Sequence, residues 1–177
     1  MRNRLIIGIF VAVAAAAVSF LIDERIVLLF YLARNSAMNF AMRLVSSGVI
    51  MVALFCLLFV FAIFKKRALS FLCASAGSLF VVELLKMIVA RQRPMVEVLV
   101  SAVGSSWPSS HAAFAFGIAA VLCKAAPNYR LLWIVIACVV GFSRLWVGAH
   151  YLSDVVSGAL IGYCIGLLAV RIEEKYG

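Results

Sequence analysis

Charge is what this chain has least of. Asp, Glu, Lys and Arg make up 13% of its 177 residues, and only seven residues are acidic. Set against 67% hydrophobic residues and a mean hydropathy of +1.17, that scarcity excludes an ordinary soluble domain. The composition is that of an integral membrane protein. Its length suits one bundle of about six helices, at about 20 residues per crossing, and leaves no room for a separate soluble domain. The five cysteines, Cys56, Cys73, Cys123, Cys138 and Cys164, form no close pair and have no metal-ligand spacing. This excludes a disulfide framework and a cysteine metal site, so they read as small packing residues inside apolar segments. A net charge of +9 could suit nucleic acid, but the basic residues are scattered between apolar segments instead of forming one soluble face, so no nucleic-acid partner is expected. No repeat or low-complexity linker divides the chain, and residues 1–177 are read as one domain. Histidine occurs only twice, at His111 and His150.

Six apolar segments are legible, at 5–22, 46–64, 68–89, 109–123, 131–147 and 153–170. The start, Met-Arg-Asn-Arg before an apolar run, resembles a signal peptide, but the run exceeds the usual length of about 7 to 15 residues and reads as an uncleaved first membrane helix. Residues 23–45 mix apolar side chains with Asp23, Glu24, Arg25, Arg34, Asn35, Asn39 and Arg43. They suit either an amphipathic interfacial segment or a solvated connector. Cytoplasmic loops retain lysine and arginine. Arg2 and Arg4, Lys65-Lys66-Arg67, Lys124 with Arg130, and Arg171 with Lys175 then fall on one side of a six-crossing arrangement. The expected fold is therefore an all-α bundle of six transmembrane helices with both termini cytoplasmic.

Three polar motifs interrupt the apolar pattern, all directed away from the cytoplasm in that arrangement. Lys86 and Arg93, seven residues apart, would share a helical face about two turns apart, with Pro94 ending the helix. Arg91 would point about 140° away from Lys86, toward the rim. In Pro108-Ser109-Ser110-His111, either serine can cap the following helix, whose free amides and positive dipole end favour an anion. His150 and Asp154, at i and i+4, are neighbours on one helical face, where the carboxylate can hold one ring nitrogen protonated and leave the other free. Arg144 can offer a planar fork to phosphate oxygens. Each motif alone is more often structural; together they are costly to place at a membrane border without a shared task. Glu83, three residues before Lys86, is expected to pair with it. Gly158, Gly162 and Gly166 are expected to line one packed helix face.

The set Lys86-x6-Arg93-Pro94, Pro108-Ser109-Ser110-His111 and Ser143-Arg144-x5-His150-x3-Asp154 resembles the type-2 phosphatidic acid phosphatase family, which shares its helical core with vanadium haloperoxidases. One position departs from the family pattern: Ser110 stands where the family has glycine. The resemblance implies a membrane phosphatase in which His150 attacks phosphorus and forms a phosphohistidine, and Asp154 orients it. His111 would protonate the leaving oxygen and then activate water. Lys86, Arg93 and Arg144, with the Ser109 and Ser110 amides, would hold the phosphoryl oxygens. It implies a lipid phosphate substrate among membrane lipids, with a polyprenyl diphosphate such as undecaprenyl diphosphate first. Phosphatidylglycerol phosphate or phosphatidic acid stands second, and an anion-binding or transport protein without hydrolysis is the alternative of another class. The expected place is the plasma membrane, with the site on the extracytoplasmic side. No metal or other cofactor is implied, and activity is expected to persist in chelator, because Asp154, Glu97, Asp23 and Glu24 are too dispersed for a two-metal cluster.

Overall fold

A computed structural model describes the backbone of residues 2–176, and the side chains of Ala14 and of residues 17–176; Arg2 and Arg4, used above for orientation, lie outside the described side chains. Seven α-helices follow in order: α1 (Arg2–Leu32), α2 (Ser36–Val45), α3 (Gly48–Phe64), α4 (Ala68–Val89), α5 (Ser110–Ala125), α6 (Arg130–Trp146) and α7 (Leu152–Tyr176), with a 3-10 turn at Pro127–Tyr129. The all-α expectation holds, and among the described residues there is no strand. By length and composition, α4, α7 and the stretch from Pro127 to Trp146 can each cross a membrane. The α2–α3 pair, bent by 52°, makes a fourth candidate, and α5 is a shorter apolar helix.

The boundaries of α3 to α6 lie within two residues of the apolar segments, whereas α7 runs six residues further, to Tyr176, and α1 does not stop at Ile22. Asp23, Glu24 and Arg25 mark where hydropathy falls but do not break the helix, which continues to Leu32. Asp23 turns inward and is 3% exposed, while Glu24 and Arg25 face outward. The separate segment after the first helix therefore contracts to α2. Asn35 caps it by accepting from the Met38 amide at 2.9 Å. Its inner face docks on α6 through Trp146 Nε1 donating to Asn39 Oδ1 at 2.9 Å, while Phe40 stays exposed. Four of the five cysteines also depart from expectation: Cys56, Cys73, Cys138 and Cys164 sit on exposed faces of apolar helices and do not pack the core.

The core lies between α3, α4, α5, α6 and α7, around Phe71, Ala74, Ile118, Val121 and Leu122. Its tightest seam joins α5 to α7. A Cβ on Gly158, Gly162 or Gly166 would sit 2.5 Å, 1.9 Å and 2.3 Å from the carbonyl oxygens of Ser109, Ala113 and Gly117. The i, i+4, i+8 glycine row is thus a contact of backbone on backbone, as the spacing implies. No flexible side-chain end is available to give way at Gly162. Gly162→Ala is expected to destabilise the protein by about 1–3 kcal/mol or more, read as a lower melting temperature in detergent.

At the opposite end of the bundle from the motifs, Arg67 binds Glu173 at 3.1 Å and Glu174 at 2.7 Å. The start of α4 and the end of α7 therefore share one end. The end of α4, the start of α5, the end of α6 and the start of α7 consequently meet at the other.

Candidate active site

The third motif is shaped by the turn between α6 and α7. Gly148 adopts φ +75°, a conformation that L side chains rarely adopt, and a Cβ there would meet Arg34 Nη2 at 2.7 Å. The turn buries His150 to 3% exposure directly before α7. Its Nδ1 lies 3.5 Å from Asp154 Oδ2, and Asp154 is fully buried. On the other side of the ring, Arg93 Nη1 stands 3.4 Å from Nε2. A guanidinium can only donate and a carboxylate can only accept, so these neighbours favour the tautomer with the proton on Nδ1 and the lone pair on Nε2. Burial pushes the imidazole down from 6.5 to about 4, against the pull of Asp154. His150 is accordingly neutral at pH 7, with Nε2 available as a nucleophile.

Arg93 is not on the helix with Lys86. α4 ends at Val89, Ala90 takes φ 48°, and the chain runs on without regular structure through Pro94. Arg93 is then clamped by backbone carbonyls, at 2.7 Å from Ala149 O, 2.9 Å from Val103 O and 3.1 Å from Gly104 O. Lys86 stays on α4 and is part of a small polar cluster. Its Nζ donates to Glu83 Oε1 at 2.8 Å and to Ser110 Oγ, and that hydroxyl donates to Glu83 at 3.0 Å. The expected Glu83–Lys86 pair is present, joined by the one residue that departs from the motif.

The open choice of cap resolves to Ser109, which is fully buried and accepts from the Ala112 amide at 3.5 Å. Its own amide donates to the Asp154 carbonyl at 3.0 Å. That corrects one expectation: the Ser109 amide is occupied in fixing α5 to α7 and is not free for an anion. The amides of Ser110 and His111, the first two of α5, have no backbone acceptor among the described residues. His111 is half-buried, within electrostatic range of Arg144, His150, Lys86 and Arg93.

Arg144 differs from the other three cations of the cluster. It is 4% exposed and its buried Nε has no hydrogen-bond partner, whereas Arg93, which like it has no carboxylate within ion-pair distance among the described residues, has its donors on backbone carbonyls. Ser143, beside it in the motif, is structural: its hydroxyl donates to Val140 O at 2.7 Å and meets Ser46 Oγ at 3.0 Å. A buried guanidinium without a counterion, near two imidazoles and a helix start, calls for an anion from outside. Among the described residues no group of three or more His, Cys, Asp or Glu gathers in metal-binding geometry.

Two side chains at this site were not foreseen. Arg91, placed at the rim by helical angles, turns inward because α4 has already ended. It reaches Asp154 Oδ1 at 2.7 Å, Ser153 Oγ at 2.6 Å and Asp23 Oδ2 at 2.8 Å. Asp23 also accepts from the Ser153 amide at 2.9 Å, at the start of α7. The cue available in the sequence was Asp23, the first charge after a long apolar run, which is expensive to bury without a partner.

Beside His111 and Ser110, an apolar groove of about 200 Å³ runs down past Met51, Leu79 and Phe114. It shares those three residues with a second groove of about 430 Å³ between α3, α4 and α5.

Comparison with known proteins identifies relatives in both sequence and fold. The family model of the PAP2 superfamily matches residues 67–177, more than half of the chain. The bacitracin transport permease protein BcrC of Bacillus licheniformis is 39% identical over 73 residues, covering 41% of this chain and 36% of that protein. An undecaprenyl-diphosphatase of Sulfolobus acidocaldarius is 39% identical over 70 residues, 39% of this chain and 34% of its own. The match thus spans about a third of these curated relatives. Over nearly the whole chain, the structure resembles a PAP2-type phosphatidylglycerolphosphate phosphatase from Bacillus subtilis, with a TM-score of 0.76 and 25% identity, covering 99% of this chain and 96% of that one.

Proposed function

The chain belongs to the PAP2 superfamily, and on that premise we propose that it is a membrane phosphatase acting on a lipid phosphate or diphosphate. The observation that carries this reading is Arg144, a buried cation with no counterion, beside a neutral His150 whose Nε2 faces the cationic side of the site. The phosphoryl group enters between Nε2 and the cations. His150 Nε2 forms a bond to phosphorus as the bond to the leaving oxygen breaks, and His111 gives that oxygen a proton. His111 then takes a proton from water as the water oxygen attacks phosphorus, releasing inorganic phosphate and freeing Nε2. Arg93, Arg144 and Lys86, with the Ser110 and His111 amides, stabilise charge on the phosphoryl oxygens.

A polyprenyl diphosphate such as undecaprenyl diphosphate is the preferred substrate. An undecaprenyl-diphosphatase is among the relatives, and the paired apolar grooves beside His111 suit one long hydrocarbon tail. The whole-chain likeness to a phosphatidylglycerolphosphate phosphatase favours phosphatidylglycerol phosphate or phosphatidic acid as the second reading. One relative named as a transport permease keeps binding without hydrolysis as a third. The chain crosses the plasma membrane six times with both termini cytoplasmic, and the site faces outward; the pairing of Arg67, which follows Lys65 and Lys66 in the chain, with Glu173 and Glu174 near the end of α7 supports this.

The test is phosphate release by the purified protein from polyprenyl diphosphates, phosphatidylglycerol phosphate and phosphatidic acid. A preference of about tenfold in kcat/KM, or about 1.4 kcal/mol, assigns the class. Lipid binding with no release from any of them would overturn the phosphatase reading in favour of transport.

Ser110 tunes this site. Ser110→Gly removes the hydroxyl that joins Lys86 to Glu83 and lets the backbone approach the anion more closely. The variant is expected to remain active, with KM changed by less than about tenfold. An inactive native enzyme rescued by glycine would contradict this.

A further inference from the structure

We infer that Arg91, held by Asp23, is a positioning residue that fixes the Asp154 carboxylate and through it the tautomer of His150. The observations form one continuous chain of contacts from α1 to the nucleophile. Asp23 on α1 binds Arg91 at 2.8 Å, and Arg91 binds Asp154 Oδ1 at 2.7 Å. With Oδ1 fixed, the other oxygen, Oδ2, is the one that accepts from the Tyr151 amide at 2.9 Å and faces His150 Nδ1 at 3.5 Å. The guanidinium carbon lies over the Tyr151 ring, 4.1 Å from its centroid, and 5.1 Å from the centroid of Phe20, so two aromatic rings hold it as well as its ion pairs.

The His150–Asp154 contact is long, and His150 Nδ1 has no other partner. A carboxylate at that distance directs the ring only if it cannot rotate; the Tyr151 amide holds Oδ2, and Oδ1 is held by one prong of the Arg91 guanidinium, whose other prong is anchored on Asp23. Lysine would keep the charge but lose the fork, since one ammonium offers no planar pair of donors to Asp154 and Asp23. Arg91 does not face Nε2; Arg93 does. It therefore acts on the nucleophile from behind, through Asp154, and is not itself a phosphate ligand. Asp23 and Asp154 are 3% and 0% exposed, so Arg91 also separates two buried carboxylates, and deleting it alone endangers folding. The informative variants are Arg91→Lys, Asp23→Asn, and the double variant Asp23→Asn/Arg91→Gln, which removes one charge of each sign together.

Because the chain has only two histidines, imidazole 15N spectra of the detergent-solubilised full chain can be assigned with a single His111→Gln variant. The wild type is expected to show His150 as one tautomer protonated on Nδ1, and Arg91→Lys and the double variant as mixed tautomers. In the kinetic arm, which rests on the phosphatase reading above, the same two variants lower kcat roughly a hundredfold. Inhibition by inorganic phosphate stays within about twofold of wild type. Asp23→Asn shifts both readouts in the same direction by a smaller factor. An unchanged His150 tautomer in every folded variant would overturn the inference. So would weaker phosphate inhibition in proportion to the loss of kcat, which would make Arg91 a direct phosphate contact. If the wild type releases no phosphate at all, the phosphatase reading fails, while the spectra still decide the role of Arg91.

Discussion

His150→Ala is expected to lower phosphate release by at least roughly 10⁴-fold, since loss of the nucleophile removes the covalent route and not merely one contact. Denaturing the wild type during turnover should trap an acid-labile, base-stable phosphoenzyme, and His150→Ala should trap none. Asp154→Asn removes the negative charge and, with its oxygen drawn to Arg91, turns an NH2 donor toward His150 Nδ1, which disfavours Nδ1 protonation; its activity should fall between the two. The pH dependence follows from burial. The folded imidazole is pushed from 6.5 to about 4, so Nε2 keeps its lone pair well below the pH at which free histidine is protonated. The acid limb of kcat/KM assigned to this residue should lie nearer 4 than 6.5. The same displacement has a stability sign. Between those two values the unfolded chain binds a proton that the folded chain does not, so this contribution to stability is present above 6.5 and is lost as pH falls toward 4. An acid limb at 6.5 that persists across substrates would show that the site is open to water and that His150 is not the desolvated nucleophile.

The catalytic spacing was legible because it is local. His150 and Asp154 are four residues apart and do meet, although not on one helical face, since α7 starts at Leu152 and His150 lies in the turn before it; the glycine row of α7 needed only a period of four. What the sequence concealed was the consequence of a helix ending early. Lys86 and Arg93 were placed on one face by a helix that stops at Val89; they still converge, but through an irregular segment clamped by carbonyls of the 103–105 loop and the turn before His150. The same early ending sends Arg91 inward, reversing the angular estimate that put it at the rim. Asp23 was hidden for a related reason. Hydropathy locates the border of a membrane span, whereas a helix ends only where its backbone bonds end, so a charge inside a continuing helix reads falsely as a connector. Partners 63 and 68 residues apart in sequence have no periodic signature at all.

The second large effect concerns the cation left without a counterion. Arg144 is 4% exposed, with Nε unsatisfied, an arrangement that costs folding free energy until an anion arrives. Arg144→Met keeps an unbranched apolar stem while removing that charge. The free variant is therefore expected to melt higher than the wild type, corresponding to roughly 1–3 kcal/mol. Its phosphate release should nevertheless fall by about 10²–10³-fold, because a donor to the developing oxyanion charge is gone. Inorganic phosphate gives the complementary reading. At about one hundred times its dissociation constant it should stabilise the wild type by about 2.7 kcal/mol and leave Arg144→Met nearly unmoved. Opposite changes in stability and activity separate a binding site built under strain from a residue that merely supports the fold, for which both would fall together. A variant that melts lower and still gains stability from phosphate would show that Arg144 braces the end of α6 and that the anion is held by Lys86 and Arg93 alone.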